Sequence, residues 1–535
     1  MNRISTFTKN KFYIIICAIV LLVWGGIYYI GSYCQSVYIV VALLILITSI
    51  FLHRITSRPS FDPKHLAMLV IFLGTAYSFI LPACSVPDED FHFTNAYKVS
   101  NYLMYGTGIE SQTDTISMRK DDSNRLTRAY YNYDFIDYYK SPVFVEDNLT
   151  VVNNVKRDNT SAYSYPYFLA GITITICRIL HLGSPILMFL GREINLLFFA
   201  FCAFISLKNI PYYKNSLIAI FLFPMTLITA ASFSYDSFNT SMIILFASFV
   251  YKMIYSTDRV QFIDLLMSFL TYVLFTPIKI VYCVMIILCM LIKKDKFVHA
   301  WRKNVYVVSM LLSAFMLSML THGEIVKFLL SRQVYSAETY IEAGQVIIEG
   351  DEIVENSSDA ELEYNPDTGE LILSDRKWTV SDVIHHPINV VRLLLRTIFD
   401  NFELYVLNMI GYYYGWFTYK ISIIYSLIIL VILLLSAFGE EIKPENSSNN
   451  MYYGGVWMLC ILLILGTMLL AETYISMKTL NGVQGRYFIP VVILAVYAFG
   501  NRFKACSISR KNIVLTISFV NFIVMLQILN EVMCI

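Results

Sequence analysis

Charged residues are scarce in this chain of 535 residues, at 15%, whereas 57% of the residues are apolar. Soluble domains carry about 25% charged residues, so this deficit argues against an ordinary soluble protein. The formal net charge is only +1, which argues against nucleic acid as a partner. The ten cysteines include no Cys-x-x-Cys pair, and their spacing suggests neither a zinc site nor a disulfide framework.

Long apolar runs, in contrast, fill most of the chain. A helix that spans the bilayer needs about 20 mostly apolar residues. We predict an all-α polytopic membrane protein. Many windows meet this requirement, and about fourteen hydrophobic segments can be distinguished: 13–31, 37–52, 66–84, 166–182, 186–207, 215–232, 237–255, 262–276, 279–292, 305–321, 421–439, 452–470, 487–500 and 513–534.

Clusters of Lys and Arg predict the orientation, because cytoplasmic loops are enriched in both. The clusters are Arg3, Lys9 and Lys11; Arg54, Arg58 and Lys64; Lys293, Lys294, Lys296, Arg302 and Lys303; and Arg502, Lys504, Arg510 and Lys511. They place the N-terminus inside, the polar loops 85–165, 322–388 and 472–486 outside, and the C-terminus outside.

This orientation requires an odd number of spans, so one of the fourteen segments does not cross. We assign that role to 166–182, as a re-entrant or interfacial helix, which leaves about thirteen spans. The alternative merges 262–292 into one span, which would bury Pro277 and Lys279 at mid-membrane.

Four regions follow from this topology. Residues 1–65 form an extra transmembrane hairpin, 66–321 a membrane core that includes the first external loop, 322–420 an external subdomain, and 421–535 the C-terminal spans. Two amphipathic stretches, Asp90–Met104 and the one that begins at His386 and Pro387, predict juxtamembrane helices. Alternating apolar residues around an Asn365–Gly369 turn predict a β-hairpin in the external subdomain.

The acidic sequence Val86-Pro-Asp-Glu-Asp-Phe-His92 follows the third span. Its three carboxylates are Asp88, Glu89 and Asp90, and a helix that starts after Pro87 would put Asp88 and His92 on one face. The sequence also fits a simpler interpretation, a helix N-terminus enriched in acids.

Four further ionisable residues lie near predicted span ends: Asp236, Lys279, Arg486 and Arg192. Charges at membrane depth cost about 2.5–3.5 kcal/mol on insertion scales, so they tend to be functional or paired. Arg192 could instead form an ion pair with a helix neighbour, and Arg486 and Lys279 could anchor the interface.

Carboxylates facing cations at the outer boundary suit glycosyl transfer from a lipid-phosphate sugar. A carboxylate can take the proton of the acceptor hydroxyl, and cations can stabilise the departing phosphate. A divalent ion, Mg²⁺ or Mn²⁺, held by carboxylates would serve the same end.

Several motifs together resemble a bacterial family of predicted membrane proteins of unknown function that is grouped with the GT-C glycosyltransferases. The motifs are Pro87-Asp-Glu-x-x-His92, Tyr165-Pro-Tyr167, Gly191-Arg-x-x-Asn195, Pro224-Met-Thr226, Ser232-Phe-Ser-Tyr-Asp236, His386-Pro387 before Arg392 and Arg396, and Gly482-Val-Gln-Gly-Arg-Tyr-Phe-x-Pro490. They extend from about residue 66 to 500. The chain departs from the family in its extra N-terminal hairpin and in Asp90-Phe91.

The resemblance implies a GT-C fold in a bacterial plasma membrane, with the active site outside and polyprenyl-phosphate sugars as donors. The roles that it implies are Asp88 as general base beside Glu89, and Arg486, Arg192 and Lys279 toward the donor phosphate. It also implies Asp236 as the second acid, which in some relatives helps to hold a metal, so that Asp88 and Asp236 are the predicted ligands of the divalent ion. The supporting or acceptor-side residues are His92, Asp90, Tyr165, His386, Gln484 and Tyr487. The acceptor would be a cell-surface glycan, lipid or protein.

Two other functions remain open. A flippase for lipid-linked saccharides fits the many spans, but not the large external loops or the absence of an inverted repeat. A non-catalytic partner in envelope assembly is the third possibility, since fold does not establish activity.

Overall fold

The computed structural model of the chain is predominantly helical. It describes residues 35–58, 60–106, 115–126, 141–152, 165–331, 362–364, 371–373, 377–415, 419–439, 449–500 and 508–533. The predicted first span, 13–31, lies outside the described residues.

The α-helices are α1 (Gln35–Thr56), α2 (Pro63–Ile80), α3 (Glu89–Tyr105), α4 (Lys120–Ser123), α5 (Phe168–Ile179), α6 (Ser184–Asn209), α7 (Lys214–Phe221), α8 (Pro224–Ala230), α9 (Tyr235–Tyr255), α10 (Phe262–Phe275), α11 (Trp301–Ser331), α12 (Val380–His385), α13 (Pro387–Ile410), α14 (Ile423–Phe438), α15 (Asn450–Glu472), α16 (Val492–Phe499) and α17 (Arg510–Met533). 3₁₀ helices cover Ile280–Leu291, Lys294–Lys296 and Gly485–Val491.

Short strands form two-stranded antiparallel sheets. They pair β1 (Ile116–Arg119) with β2 (Leu149–Val152), β3 (Leu362–Tyr364) with β4 (Leu371–Leu373), and β5 (Tyr413–Tyr414) with β6 (Tyr419–Lys420). The β3–β4 pair is the predicted hairpin, in which Leu362 pairs with Leu373. The other two pairs were not predicted.

Seven of the described helices are long and apolar enough to cross a membrane, which confirms the multi-pass helical architecture. They are Tyr38–Thr56, Pro63–Ile80, Ser184–Asn209, Tyr235–Tyr255, Trp301–Leu320, Asn450–Glu472 and Arg510–Val532. Shorter apolar helices are Tyr165–Ile179, Phe262–Phe275, Ile280–Leu291, Ile423–Phe438 and Gly485–Phe499. The count of about thirteen spans stays a prediction.

The predicted hydrophobic segment 215–232 is made of two helices in the structure. Helix α7 ends at Phe221 and α8 begins at Pro224. Proline has no backbone N–H, so the helix cannot continue through it with intact hydrogen bonds. At the break the Asn521 side chain donates to the Leu222 carbonyl and accepts from the Tyr77 hydroxyl.

The segment 262–292 also forms two helices, α10 and the 3₁₀ helix 280–291. A turn at Thr276–Lys279 joins them, and the Tyr272 hydroxyl of the first donates to the Cys283 carbonyl of the second at 2.9 Å. The two helices therefore pack side by side. The alternative of a single span across 262–292 is wrong.

Helix α5, in the segment predicted not to cross, spans only 12 residues. At about 1.5 Å per residue it is about 18 Å long, well short of a bilayer core of about 30 Å. Leu182, just after the helix, pairs with Phe144 of the first polar loop, and the Gly183 N–H donates to the Val143 carbonyl. The chain beyond α5 thus contacts the loop that precedes it.

The two predicted amphipathic stretches are helices α3 and α13. Helix α3 is buried along most of its length, including Phe93, Ala96 and Tyr97, so it lies inside the protein and does not rest on a surface as expected. These three residues belong to a small apolar core together with Tyr167 and Phe233. A larger core joins the membrane helices from α1 to α17.

Candidate functional site

Four of the predicted ionisable residues meet in one cluster, which we call the ion cluster: Asp88, Asp236, Lys279 and Arg486. Arg486 Nη2 donates to Asp88 Oδ2 at 2.6 Å, and Arg486 Nε lies 3.0 Å from Asp236 Oδ2. The Lys279 ammonium lies 2.6 Å from Asp236 Oδ1. Arg486 therefore bridges the two carboxylates, and Asp236 holds both cations.

Each of these side chains is placed by the end of a helix. Asp88 precedes α3 as its N-cap residue, and Asp236 lies in the first turn of α9, where its N–H donates to the Ser234 hydroxyl. Lys279 ends the turn between α10 and the 3₁₀ helix 280–291, and Arg486 lies in the first turn of the 3₁₀ helix 485–491. Four separate helix ends thus converge on one point.

Asp88 adopts a left-handed backbone conformation, with φ 63° and ψ 12°. Few residues other than glycine occupy this region, although Asp and Asn do so more readily than most. The Glu89 N–H donates to the Val86 carbonyl, which closes a turn around Pro87. The turn directs the chain into α3 and, together with the Arg486 contact to the Pro87 carbonyl at 3.2 Å, fixes Asp88.

Gly485, in the predicted Gln-Gly-Arg-Tyr-Phe motif, allows the Arg486 segment to pack against α13. A Cβ at position 485 would lie 2.4 Å from the Met409 backbone nitrogen and 2.5 Å from the Tyr405 carbonyl oxygen. Both distances are shorter than any that Cβ atoms make with other backbone atoms in proteins. Only a residue without a side chain permits this approach. The glycine is therefore part of what places Arg486 beside Asp88.

Exposure separates Asp88 from the other members of the ion cluster. Its side chain is 38% exposed, compared with 5% for Arg486, 9% for Asp236 and 18% for Lys279. Asp88 Oδ1 accepts no hydrogen bond from the residues that the structure describes. Asp88 is therefore the member of the ion cluster that is most accessible to an approaching molecule.

Aromatic rings surround the two cations. The Lys279 ammonium lies 4.0 Å from the centroid of the Tyr487 ring and 5.5 Å from that of Tyr235, and the Arg486 guanidinium lies 5.5 Å from the Tyr487 centroid. The face of an aromatic ring attracts a cation, an interaction worth about 0.5–2 kcal/mol. Tyr282 donates to the Tyr487 carbonyl at 2.6 Å and holds that segment in place.

Glu89 and Arg192 form a separate buried ion pair next to Asp88. Arg192 donates to both Glu89 oxygens at 2.8 and 2.6 Å, and to the carbonyls of Ser78, Leu81 and Pro82. These five contacts account for the five N–H groups of a guanidinium. The predicted phosphate-binding role of Arg192 is not supported by this geometry, whereas the alternative of an ion pair with a neighbour is realised.

His92 lies one turn after Asp88 and is buried. Its Nδ1 is 2.8 Å from the Tyr167 hydroxyl, and its ring packs edge-on against Tyr235 with centroids 4.7 Å apart. Burial lowers the pKa of His92 to about 4, so the imidazole is neutral at physiological pH. Tyr167 and Tyr235 were not singled out by sequence reasoning, although both belong to motifs that it quoted.

The other predicted site residues lie in several places. Asp90 and Gln484 are half-buried, and each is two positions along the chain from a member of the ion cluster. Tyr165 donates to the Leu274 carbonyl at 2.6 Å. His386 lines a different cavity beside α13.

The residues predicted to hold a divalent ion are already paired with cations. The Arg486 guanidinium lies between the Asp88 and Asp236 carboxylates, and Lys279 occupies the other oxygen of Asp236. A metal ion that bridged the two carboxylates would have to displace Arg486. Within the described residues, no group of three or more His, Cys, Asp or Glu side chains is placed to hold a metal. In this arrangement both carboxylates pair with cations, and the divalent ion stays a prediction.

Long apolar helices, with a buried ion cluster where several of them end, define a multi-pass helical membrane protein. The chain belongs to the family of predicted membrane proteins DUF2142, whose family model matches residues 69–495. The predicted N-terminal hairpin, 1–65, lies before the matched range. No curated protein and no solved structure matches the chain.

Proposed function

We propose that the chain is a glycosyltransferase of the GT-C type, which transfers a sugar from a polyprenyl-phosphate donor to an acceptor outside the cytoplasm. The observation that carries the proposal is the ion cluster. An exposed carboxylate, Asp88, lies directly beside two buried cations, Arg486 and Lys279. Such a pairing of a base with phosphate-binding cations is what this reaction requires.

Asp88 acts as the general base. Its free Oδ1 takes the proton of an acceptor hydroxyl while the hydroxyl oxygen attacks the anomeric carbon of the donor. The new oxygen–carbon bond forms as the bond from that carbon to the phosphate oxygen breaks, and the electron pair leaves with polyprenyl phosphate. Because phosphate is a good leaving group, no side chain needs to protonate it.

Arg486 and Lys279 stabilise the charge that develops on the departing phosphate. Both are held by Asp236, which makes Asp236 a positioning residue for the cations. The aromatic ring of Tyr487 covers them, and their burial limits screening by water. Cations held in advance at a place where negative charge appears lower the barrier without reorganisation.

Glu89, Arg192 and His92 are positioning residues in this proposal. The Glu89–Arg192 pair ties the start of α3 to the carbonyls at the end of α2, and so holds the turn that carries Asp88. His92 and Tyr167 tie the same helix to the residues just before α5. No step of the reaction is assigned to a metal ion, because Arg486 and Lys279 already pair with both acids.

We place the ion cluster on the extracytoplasmic face of the plasma membrane. Asp236 begins α9 and Lys252 lies in its last turn, about 24 Å away at about 1.5 Å per residue. Around that second end lie Lys252, paired with Asp264, and Lys296, which donates to the Met253 carbonyl. Lysine-rich ends face the cytoplasm, so the end with the ion cluster faces outward.

The proposal is tested by Asp88→Asn in cells. We expect this substitution to abolish sugar transfer to the cell-surface acceptor, while expression and membrane insertion remain normal. Asp258→Asn, which removes an exposed carboxylate from the turn after α9, is the matched control and should leave the modification unchanged. Unaltered surface glycan in the Asp88→Asn strain would rule out Asp88 as the base.

A further inference from the structure

A cavity of about 470 Å³ opens beside α13, away from the ion cluster. Its walls come from α12, the first half of α13 and the loop that follows α15. This volume lies within the range of about 300–1,000 Å³ that is typical of ligand pockets. Of the predicted site residues, only His386 lines it.

The cavity is lined by cationic groups. Arg392 and Arg396 lie one turn apart on α13, so their side chains share a face, and Lys478 adds a third cation from another wall. The His386 imidazole also lines the cavity. Among the described residues, Arg396 pairs with Asp400 at 3.4 Å, and both side chains are 52% exposed. Neither Arg392 nor Lys478 forms an ion pair with a residue that the structure describes.

Among the described residues that line the cavity, Asp382 is the one carboxylate, and it accepts hydrogen bonds within its own helix cap. Asp382 Oδ2 accepts from the backbone N–H and the hydroxyl of Thr379, as part of the cap of α12. The buried Trp378 Nε1, in contrast, has no acceptor among the described residues. The cavity thus offers hydrogen-bond donors and positive charge, with little to neutralise them. Two neighbouring guanidinium groups favour an anion with several oxygens, such as phosphate.

The outer face of α12 and α13 indicates that the phosphate belongs to a lipid and not to a soluble molecule. Six large apolar side chains at helical spacing are between 50% and 81% exposed: Ile384, Ile388, Val391, Leu395, Phe399 and Phe402. On the opposite face Val390 and Leu393 pack against Leu465 and Leu469 of α15. An exposed apolar stripe bordered by arginines, in a multi-pass membrane protein, is typical of a helix at the lipid interface.

We propose that this cavity binds the phosphate of an anionic membrane lipid, with Arg392, Arg396 and Lys478 as its charged contacts. The acyl chains then lie along the exposed apolar stripe. Trp378 Nε1 and His386 supply further donors. The site is separate from the ion cluster, and the proposal does not depend on the reaction proposed there.

The test is native mass spectrometry of the full chain, purified in non-ionic detergent, with phosphatidylglycerol or phosphatidylcholine added. The expected result is preferential retention of phosphatidylglycerol. Loss of two charge-assisted contacts in Arg392→Gln/Arg396→Gln should weaken that retention by about tenfold or more. Arg302→Gln, which removes an exposed guanidinium at the start of α11, is the matched control and should bind as the wild type does.

Competition with glycerol 3-phosphate distinguishes a lipid from a soluble phosphate. The proposal expects this compound to compete poorly, because it lacks acyl chains for the apolar stripe. Displacement of the lipid by equal concentrations of glycerol 3-phosphate would overturn it. So would equal retention of the two lipids by the wild type, a comparison that needs no variant to fold.

Discussion

The Arg192 guanidinium donates to five oxygens, two of them on Glu89 and three on carbonyls at the end of α2. A buried charge satisfied in this way has nothing left to offer a ligand. When one partner of such a pair is removed, the other remains as an uncompensated buried charge, which typically costs about 3–5 kcal/mol. The pair is thus expected to contribute to folding more than to substrate binding.

We therefore predict that Arg192→Gln destabilises the protein by about 3–5 kcal/mol, measured as a lower thermal unfolding midpoint in nanodiscs. The double variant Glu89→Gln/Arg192→Gln should be less destabilised than Arg192→Gln alone, because it leaves no lone charge. Arg302→Gln is the control for loss of an exposed arginine. A stable Arg192→Gln protein with weakened donor binding would contradict the positioning role.

His92 gives a prediction about pH. Burial lowers its pKa from the ordinary 6.5 to about 4, so the unfolded chain binds more protons than the folded chain between these values. The stability that neutral His92 contributes is complete above about pH 6.5 and is lost as the pH falls toward 4. Between about pH 7 and about pH 5 the unfolding midpoint of the wild type should fall more than that of His92→Gln. Parallel curves for the two proteins would contradict this.

The acids and cations of the ion cluster also give a prediction about metals. Arg486 contacts one oxygen of each acid and Lys279 contacts the other oxygen of Asp236, so a divalent ion that bridged Asp88 and Asp236 would have to displace Arg486. The rate of sugar transfer by purified protein should therefore be unchanged by EDTA and by added Mg²⁺ or Mn²⁺. Activity that is lost in EDTA and restored by either ion would show that Arg486 moves aside for a metal.

At the scale of elements, the apolar runs predicted the positions of the long helices, because a membrane helix carries its signal within its own sequence. The break between α7 and α8 was missed although Pro224 is visible, since a proline marks a kink and a helix start equally well. The side-by-side packing of α10 with the 3₁₀ helix 280–291 could not be derived from hydropathy alone. Lys279 itself was the clue, because a single span would have buried it.

The predicted topology depends on whether the segment that contains helix α5 crosses the membrane. If 166–182 does not cross the membrane, His181 lies on the same side as the first polar loop, and Asp258 on the other. In cells that express variants with a single exposed cysteine, His181→Cys should react with a membrane-impermeant maleimide without permeabilisation. Asp258→Cys should react only after permeabilisation. The reverse pattern, in which His181→Cys reacts only after permeabilisation and Asp258→Cys reacts without it, would mean that 166–182 spans the membrane.

At the scale of the whole molecule, the ion cluster shows the limit of sequence reasoning. Asp88, Asp236, Lys279 and Arg486 were each predicted from an ionisable residue at the end of an apolar run. Asp88 and Arg486 are separated by 398 positions in the chain, and only the packing of the helices brings them together. For the same reason the sequence could not show which glutamate pairs with Arg192. The adjacent Glu193 is the nearer candidate along the chain, but in the structure Arg192 pairs with Glu89 and Glu193 accepts a hydrogen bond from Thr75.

The central claim is that Asp88 activates an acceptor for attack on a polyprenyl-phosphate sugar. Release of free polyprenyl phosphate by the purified full chain in nanodiscs, with donor and acceptor supplied, tests it most directly. The wild type should release it, and Asp88→Asn should do so at least about 100-fold more slowly, the usual effect of losing a general base. Donor that crosses the bilayer intact would indicate a flippase, and equal release by both proteins would contradict the role of Asp88.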